Sequence, residues 1–66
     1  MAIAVEALLV DVPEAARIVG LGRSKFYELV RGGEIEVVHI GRAVRIPVAA
    51  LRLYVDRVRA DQASGE

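Results

Sequence analysis

The stretch DVPEAARIVGLGRSKFYELVRGG, from Asp11 to Gly33, constrains this chain more than any other part of it. Glycine stops at Gly20 and at Gly32-Gly33 each close a run with helical periodicity. The first run has a defined start. Asp11 stands three residues before Glu14, so each side chain can satisfy a free amide of the first turn. Pro13 suits only that turn, where no amide hydrogen is required. Ala15, Ala16, Ile18 and Val19 give the apolar side, and Gly20 ends the run because a left-handed residue carries no steric cost for glycine. A second run opens after Leu21-Gly22 and spans Arg23 to Arg31. Laid out at about 100° per residue, Phe26, Leu29 and Val30 share one arc and are its buried side. Ser24, Glu28 and Arg31 stand opposite, with Arg23, Lys25 and Tyr27 on the flanks.

Two helices this short, joined by a glycine-containing turn, form a helix-turn-helix pattern, whose second helix enters the DNA major groove. The exposed face of Arg23–Arg31 has suitable chemistry. Arg and Lys bond guanine or phosphate, Ser bonds either, and Glu can accept from a cytosine amine. An ordinary solvated helix carries a similar mixture, so the rest of the chain must discriminate.

Beyond Gly33 the period changes from helical to alternating. Glu36 to Ile40 and Val44 to Ile46 are strand-like, with Gly41-Arg42-Ala43 as a hairpin tip. Placing Val38 and Ile40 inward with Val44 and Ile46 pairs position 40 with 44 and 39 with 45 across a three-residue loop. His39 and Arg45 are then outward neighbours, and Arg42 stands at the tip of a two-stranded wing. An Arg there suits a minor-groove or phosphate contact, although taken singly it reads first as a soluble turn residue. His39 has no second His, no Cys and no nearby Ser to pair with, which argues against a metal or acid–base role.

Pro47 pre-sets a last helix. Its stripe is Val48, Leu51, Tyr54, Val55 and Val58, spaced by threes and fours. Arg52, Asp56, Arg57, Arg59 and Asp61 fill its outer side, and Leu53 falls off the stripe. At the other end, residues 1–10 are an apolar lead-in in which Leu8-Leu9-Val10 can form a brief strand. Residues 11–60 make the domain, and the small polar residues of 61–66 are expected to fray.

With 66 residues the chain holds one domain, and its 55% apolar content is enough for an unstapled core. It has no Cys and one His, which excludes a disulfide scaffold or a zinc finger. The opening MAIAVEALLV lacks a basic flank and carries Glu6, so it is a poor secretory signal, and no run has membrane-spanning length. The expected compartment is the cytoplasm, with nucleoid association when bound. Net charge is zero, where a small DNA-binding domain is usually basic. The distribution is less neutral. Residues 17–45 hold Arg17, Arg23, Lys25, Arg31, Arg42 and Arg45 against Glu28, Glu34 and Glu36, a net of +3 in the segment containing the reading helix.

The ordered motifs resemble the small winged-helix domain of phage and plasmid excisionases, within the larger MerR-like group. The series runs Asp11-x-x-Glu14-Ala15-Ala16, Gly20-Leu21, Arg23-Ser24-Lys25-Phe26-Tyr27 and Arg31-x-Gly33-x-Ile35. Val38-x-Ile40-Gly41-Arg42, Arg45-Ile46-Pro47, Ala50-Leu51 and Tyr54-Val55 follow, so the resemblance covers roughly Leu8 to Val55. It implies an α+β winged helix-turn-helix without enzymatic activity or cofactor. The implied role is to bind tandem double-stranded DNA sites cooperatively, bend them, and help an integrase excise a mobile element. Carried across, Ser24, Lys25, Tyr27 and Arg31 meet the major groove or its phosphates. Arg23 clamps phosphate at the helix start, Arg42 reaches the minor groove, and His39 and Arg45 lie near the backbone. Glu28 departs from the family, where a base is common, and either reads cytosine or repels phosphate. Ala43 and Val44 leave the wing thinner in charge than in relatives.

Other functions stay open at this level. A small transcriptional regulator could use the same surface. An interaction module that no longer binds DNA would account for the zero net charge and for Glu28. Head-to-tail self-association on DNA needs an apolar contact, for which Leu53 and the Ile3, Val5 and Leu8 region are candidates. No paired carboxylates, nucleophile–base pair or phosphate-cradling loop points to an enzyme.

Overall fold

Local signals from Asp11 onward become structure much as their chemistry requires. The computed structural model describes residues 7–64; Ile3 and Val5 of the expected apolar contact, and the end of the tail at Gly65-Glu66, lie outside them. Strand β1 (Leu9–Val10) leads into helices α1 (Val12–Val19) and α2 (Arg23–Arg31). Strands β2 (Val38–Ile40) and β3 (Ala43–Pro47) follow, and helix α3 (Val48–Ser64) closes the chain.

Helix α1 begins where Asp11 caps it, its carboxylate accepting the Glu14 N–H at 3.0 Å. The expected return bond from Glu14 does not form. The Glu14 carboxylate is instead held by Arg17, one turn on, through Nε at 3.0 Å and through Nη2. A full guanidinium on the same helix offers a stronger, charge-assisted partner than one backbone amide. At the far end Gly20 is left-handed, with φ 78° and ψ 26°. The Leu21 N–H then reaches Ala16 O at 2.9 Å and the Gly20 N–H reaches Arg17 O at 3.1 Å, the paired closure of a Schellman motif. Helix α2 ends in the same way, around Gly33 at φ 77°.

The core is Val12, Ala15, Ala16, Phe26, Ile35, Ile46, Ala50 and Leu51, all buried, with Val10, Val19, Leu29, Val30, Val37 and Tyr54 packed against it. Complete burial of side chains such as Phe26, Ile46 and Leu51 contributes roughly 1.5–3 kcal/mol each. Ile18, expected on the apolar side of α1, is 47% exposed instead. Small Ala15 and Ala16 face the core in its place and let α1 approach closely.

The sheet has three strands in the order β1-β3-β2, all antiparallel. Leu9 and Val10 pair with Pro47 and Ile46, so the brief strand expected at the lead-in joins the wing. Pro47 thereby ends β3 and does not open α3, which starts at Val48. Helix α3 runs through Ser64, past the boundary at residue 60 that composition suggested. On it, Leu51 is buried and Tyr54 half-buried, while Val55 is 39% and Leu53 70% exposed.

The wing's register differs from the expected one. Val38 pairs with Arg45, His39 with Val44 and Ile40 with Ala43. The loop is therefore the two residues Gly41-Arg42, with Gly41 at φ 60°, as a II′-type hairpin requires at its first position. Shortening the loop by one residue turns β2 over relative to β3. Val37 and His39 now share a face with Val44 and Ile46, while Val38 and Ile40 share the other with Arg45. Val37 packs on the core, and Ile40, expected inward, is 58% exposed.

Candidate nucleic-acid interface

Helix α2 lies over the core on a single deep anchor. Phe26 is fully buried, and Leu29 and Val30 flank it half-buried. This fixes the rotation of the helix, so that Arg23, Ser24, Lys25, Tyr27, Glu28 and Arg31 all emerge exposed, as the helical layout demanded. Gly22 caps the N-terminus without any side-chain bond.

These side chains differ in how far they are already engaged. Lys25 Nζ stands 3.7 Å from Glu28 Oε1, so acid and base on the exposed face of α2 partly neutralise each other. Among the described residues, Arg23, Arg31 and Arg42 have no hydrogen-bond or ion-pair partner. Arg17, by contrast, is locked to Glu14, which draws the Glu14 carboxyl below the ordinary carboxylate range and raises the Arg17 guanidinium.

At the wing, Arg42 occupies the second loop position and is exposed. His39 and Arg45 are not the outward pair expected. The observed register puts them on opposite faces of the hairpin, so a single flat surface cannot use both. Arg45 is half-buried and donates from Nη1 to Val44 O at 2.8 Å. His39 is exposed opposite Val44. The residues brought together on one element are thus the α2 set, with Arg42 carried separately on the wing. Arg57 and Glu34 were not singled out as a pair by the sequence. They lie 23 residues apart and no local pattern joins them, yet their side chains meet at 2.7 Å.

Two short helices meeting through a glycine turn, an outward second helix and an Arg-tipped antiparallel wing define a winged helix-turn-helix protein. The family model of the helix-turn-helix domain matches residues 9–59, and the chain belongs to that family, in an excisionase-like form. It is similar to a protein of Saccharopolyspora erythraea described as a probable excisionase, with 51% identity over 57 residues. That match covers 86% of this chain and 58% of the relative, so the chain spans little more than half the relative's length. No solved structure gives a significant match. No helix among the described residues is long and apolar enough to cross a membrane.

Proposed function

We propose that this chain binds double-stranded DNA sequence-specifically, as an excisionase-like accessory factor. In this reading α2 enters the major groove and Arg42 reaches the adjacent minor groove or its phosphates. The observation that carries it is the division among the cations. Arg23 and Arg31 on the reading helix and Arg42 on the wing have no partner among the described residues, whereas Arg17 on the supporting helix is tied to a carboxylate. Unpaired guanidiniums are free to take phosphate or guanine. Tyr27, 43% exposed on the same helix, adds an amphipathic contact.

Zero net charge makes a single copy a weak binder. The excisionase likeness therefore supports cooperative occupancy of tandem sites, bending of the DNA between them, and assembly with an integrase. Exposed Leu53 on α3 is available for contact between neighbouring copies.

Fluorescence anisotropy of duplex DNA titrated at several salt concentrations tests the reading. With about four phosphates neutralised, log affinity should fall with log salt at a slope of roughly −3 to −4. Arg31→Ala should weaken binding by about tenfold or more, and Arg17→Ala should leave it unchanged. Sigmoidal isotherms on longer duplexes would support cooperative coating. A protein that binds no duplex at low salt, and selects no sequence from a random pool, would overturn DNA binding in favour of an interaction module.

A further inference from the structure

We propose that Arg57 of α3 is a positioning residue that fixes the C-terminal end of the reading helix α2 by gripping Glu34, without itself touching DNA. The inference rests on the DNA-binding reading above. Helix α2 ends at Arg31 and is followed by Gly32 and Gly33, the two residues with the most backbone freedom. Glu34 is where that freedom stops. Its N–H donates back to Leu29 O at 2.9 Å, and the Gly33 N–H donates to Val30 O at 3.1 Å, together closing the helix. Its other polar atoms face the opposite way. Arg57 Nη2 donates to the Glu34 carbonyl at 3.0 Å and to its Oε1 at 2.7 Å. One residue is thus bonded to α2 by its amide and to α3 by its carbonyl and carboxylate.

Helix α2 packs chiefly on α1, and this bond adds a polar tie between its C-terminal end and α3 at the edge of the core the helices share. The Arg57 end is itself anchored. Its guanidinium carbon lies 5.8 Å from the centre of the Tyr54 ring, within cation–π range, and Tyr54 packs on the core. The chain of contacts runs from core to Tyr54, Arg57, Glu34 and the last turn of α2, which carries Arg31. Arg57 also balances a carboxylate that would otherwise stand, unneutralised, three residues beyond Arg31. Both partners are about half exposed, so the pair adds little to global stability. Its effect is on where the helix end sits and how firmly it is held.

The test measures duplex affinity across salt for the unaltered chain, Arg57→Met, Glu34→Ala and the double variant. Amide hydrogen exchange at residues 31–35 and thermal melting are followed in parallel. Arg57→Met keeps an apolar stem over Tyr54 but loses both bonds. It should weaken binding about three- to fivefold while leaving the salt slope and melting temperature nearly unchanged, and it should speed exchange at Gly33 and Glu34. In the Glu34→Ala background the same change should cost less than about twofold, because coupled residues are not additive. Arg57→Lys should recover part of the affinity.

A salt slope reduced by about 0.9 would make Arg57 a direct phosphate contact and overturn the proposal. Equal losses in both backgrounds, or unchanged affinity, would overturn it too. If the unaltered chain binds no DNA, the DNA reading fails by itself. Faster exchange at Gly33 and Glu34 in Arg57→Met would still support the grip, and unchanged exchange would overturn it.

Discussion

Helices α1 and α2 are near equal in length and end in the same left-handed glycine closure, yet they begin and spend their charges differently. Helix α1 has an Asp side chain on its first turn and an internal Glu14–Arg17 pair. Helix α2 starts at a bare glycine and leaves Arg23 and Arg31 without partners among the described residues. Their burial differs as well. Helix α1 buries Val12, Ala15 and Ala16, whereas α2 buries only Phe26. A helix that satisfies itself can act as scaffold. One that buries a single aromatic and leaves Arg23 and Arg31 free suits the contact with DNA proposed for it.

The contrast can be strained hardest at Phe26. Phe26→Ala removes the anchor of α2 and should cost about 3–5 kcal/mol, against a total on the order of 3–10 kcal/mol for a domain of this size. Circular dichroism should show the variant unfolded or melting far below the parent. A mild loss would mean that α1 and the turns, not Phe26, hold α2 in place.

The two N-termini give a smaller and sharper comparison. Asp11→Ala should cost about 1 kcal/mol, since the Glu14 amide loses its acceptor. Gly22→Asp goes the other way. Gly22 has φ −70° and open space around its Cα, so the new carboxylate can cap α2 and add a few tenths of a kcal/mol. It also places an anion at the start of the helix proposed to enter the groove, and duplex affinity should fall as melting temperature rises. Affinity that rises with stability would break the division of roles between the two helices.

The smallest effect concerns acid. Arg17 holds the Glu14 carboxyl below its ordinary value, chiefly through their hydrogen bond. That contribution is present above the ordinary carboxylate pKa of about 4.3 and is lost as pH falls through the lowered folded value. Glu14→Gln should therefore lower the melting temperature slightly at neutral pH, where the pair contributes, and flatten its decline below about pH 4.3, where variant and parent converge. No such flattening would show that the pair is screened to irrelevance at this exposed position.

Much of the exposed face of α2 was legible in the sequence because helical spacing alone decides which residues share a face. Once Phe26, Leu29 and Val30 are taken as the inner arc, Ser24, Glu28 and Arg31 have to point out. The wing was not legible to the same degree. Arg42 could be placed at a tip, but whether the loop held two residues or three depended on how β3 was pinned. Its partner on the far edge, β1, fixes Ile46 against Val10 and Pro47 against Leu9. With Ile46 held in the core, Val37, just before β2, packs inward, and His39 and Arg45 fall on opposite faces.

Sequence by itself determined the helix boundaries and stops, from Asp11 to Gly20 and from Gly22 to Gly33. Caps, proline and left-handed glycines act within a few residues, where the chain cannot avoid its neighbours. Only the tertiary structure decided the strand register, the exposure of Ile18 and Ile40, and the meeting of Arg57 with Glu34. Each of those is a competition between alternatives of similar local energy, and it is resolved by what the rest of the chain brings alongside.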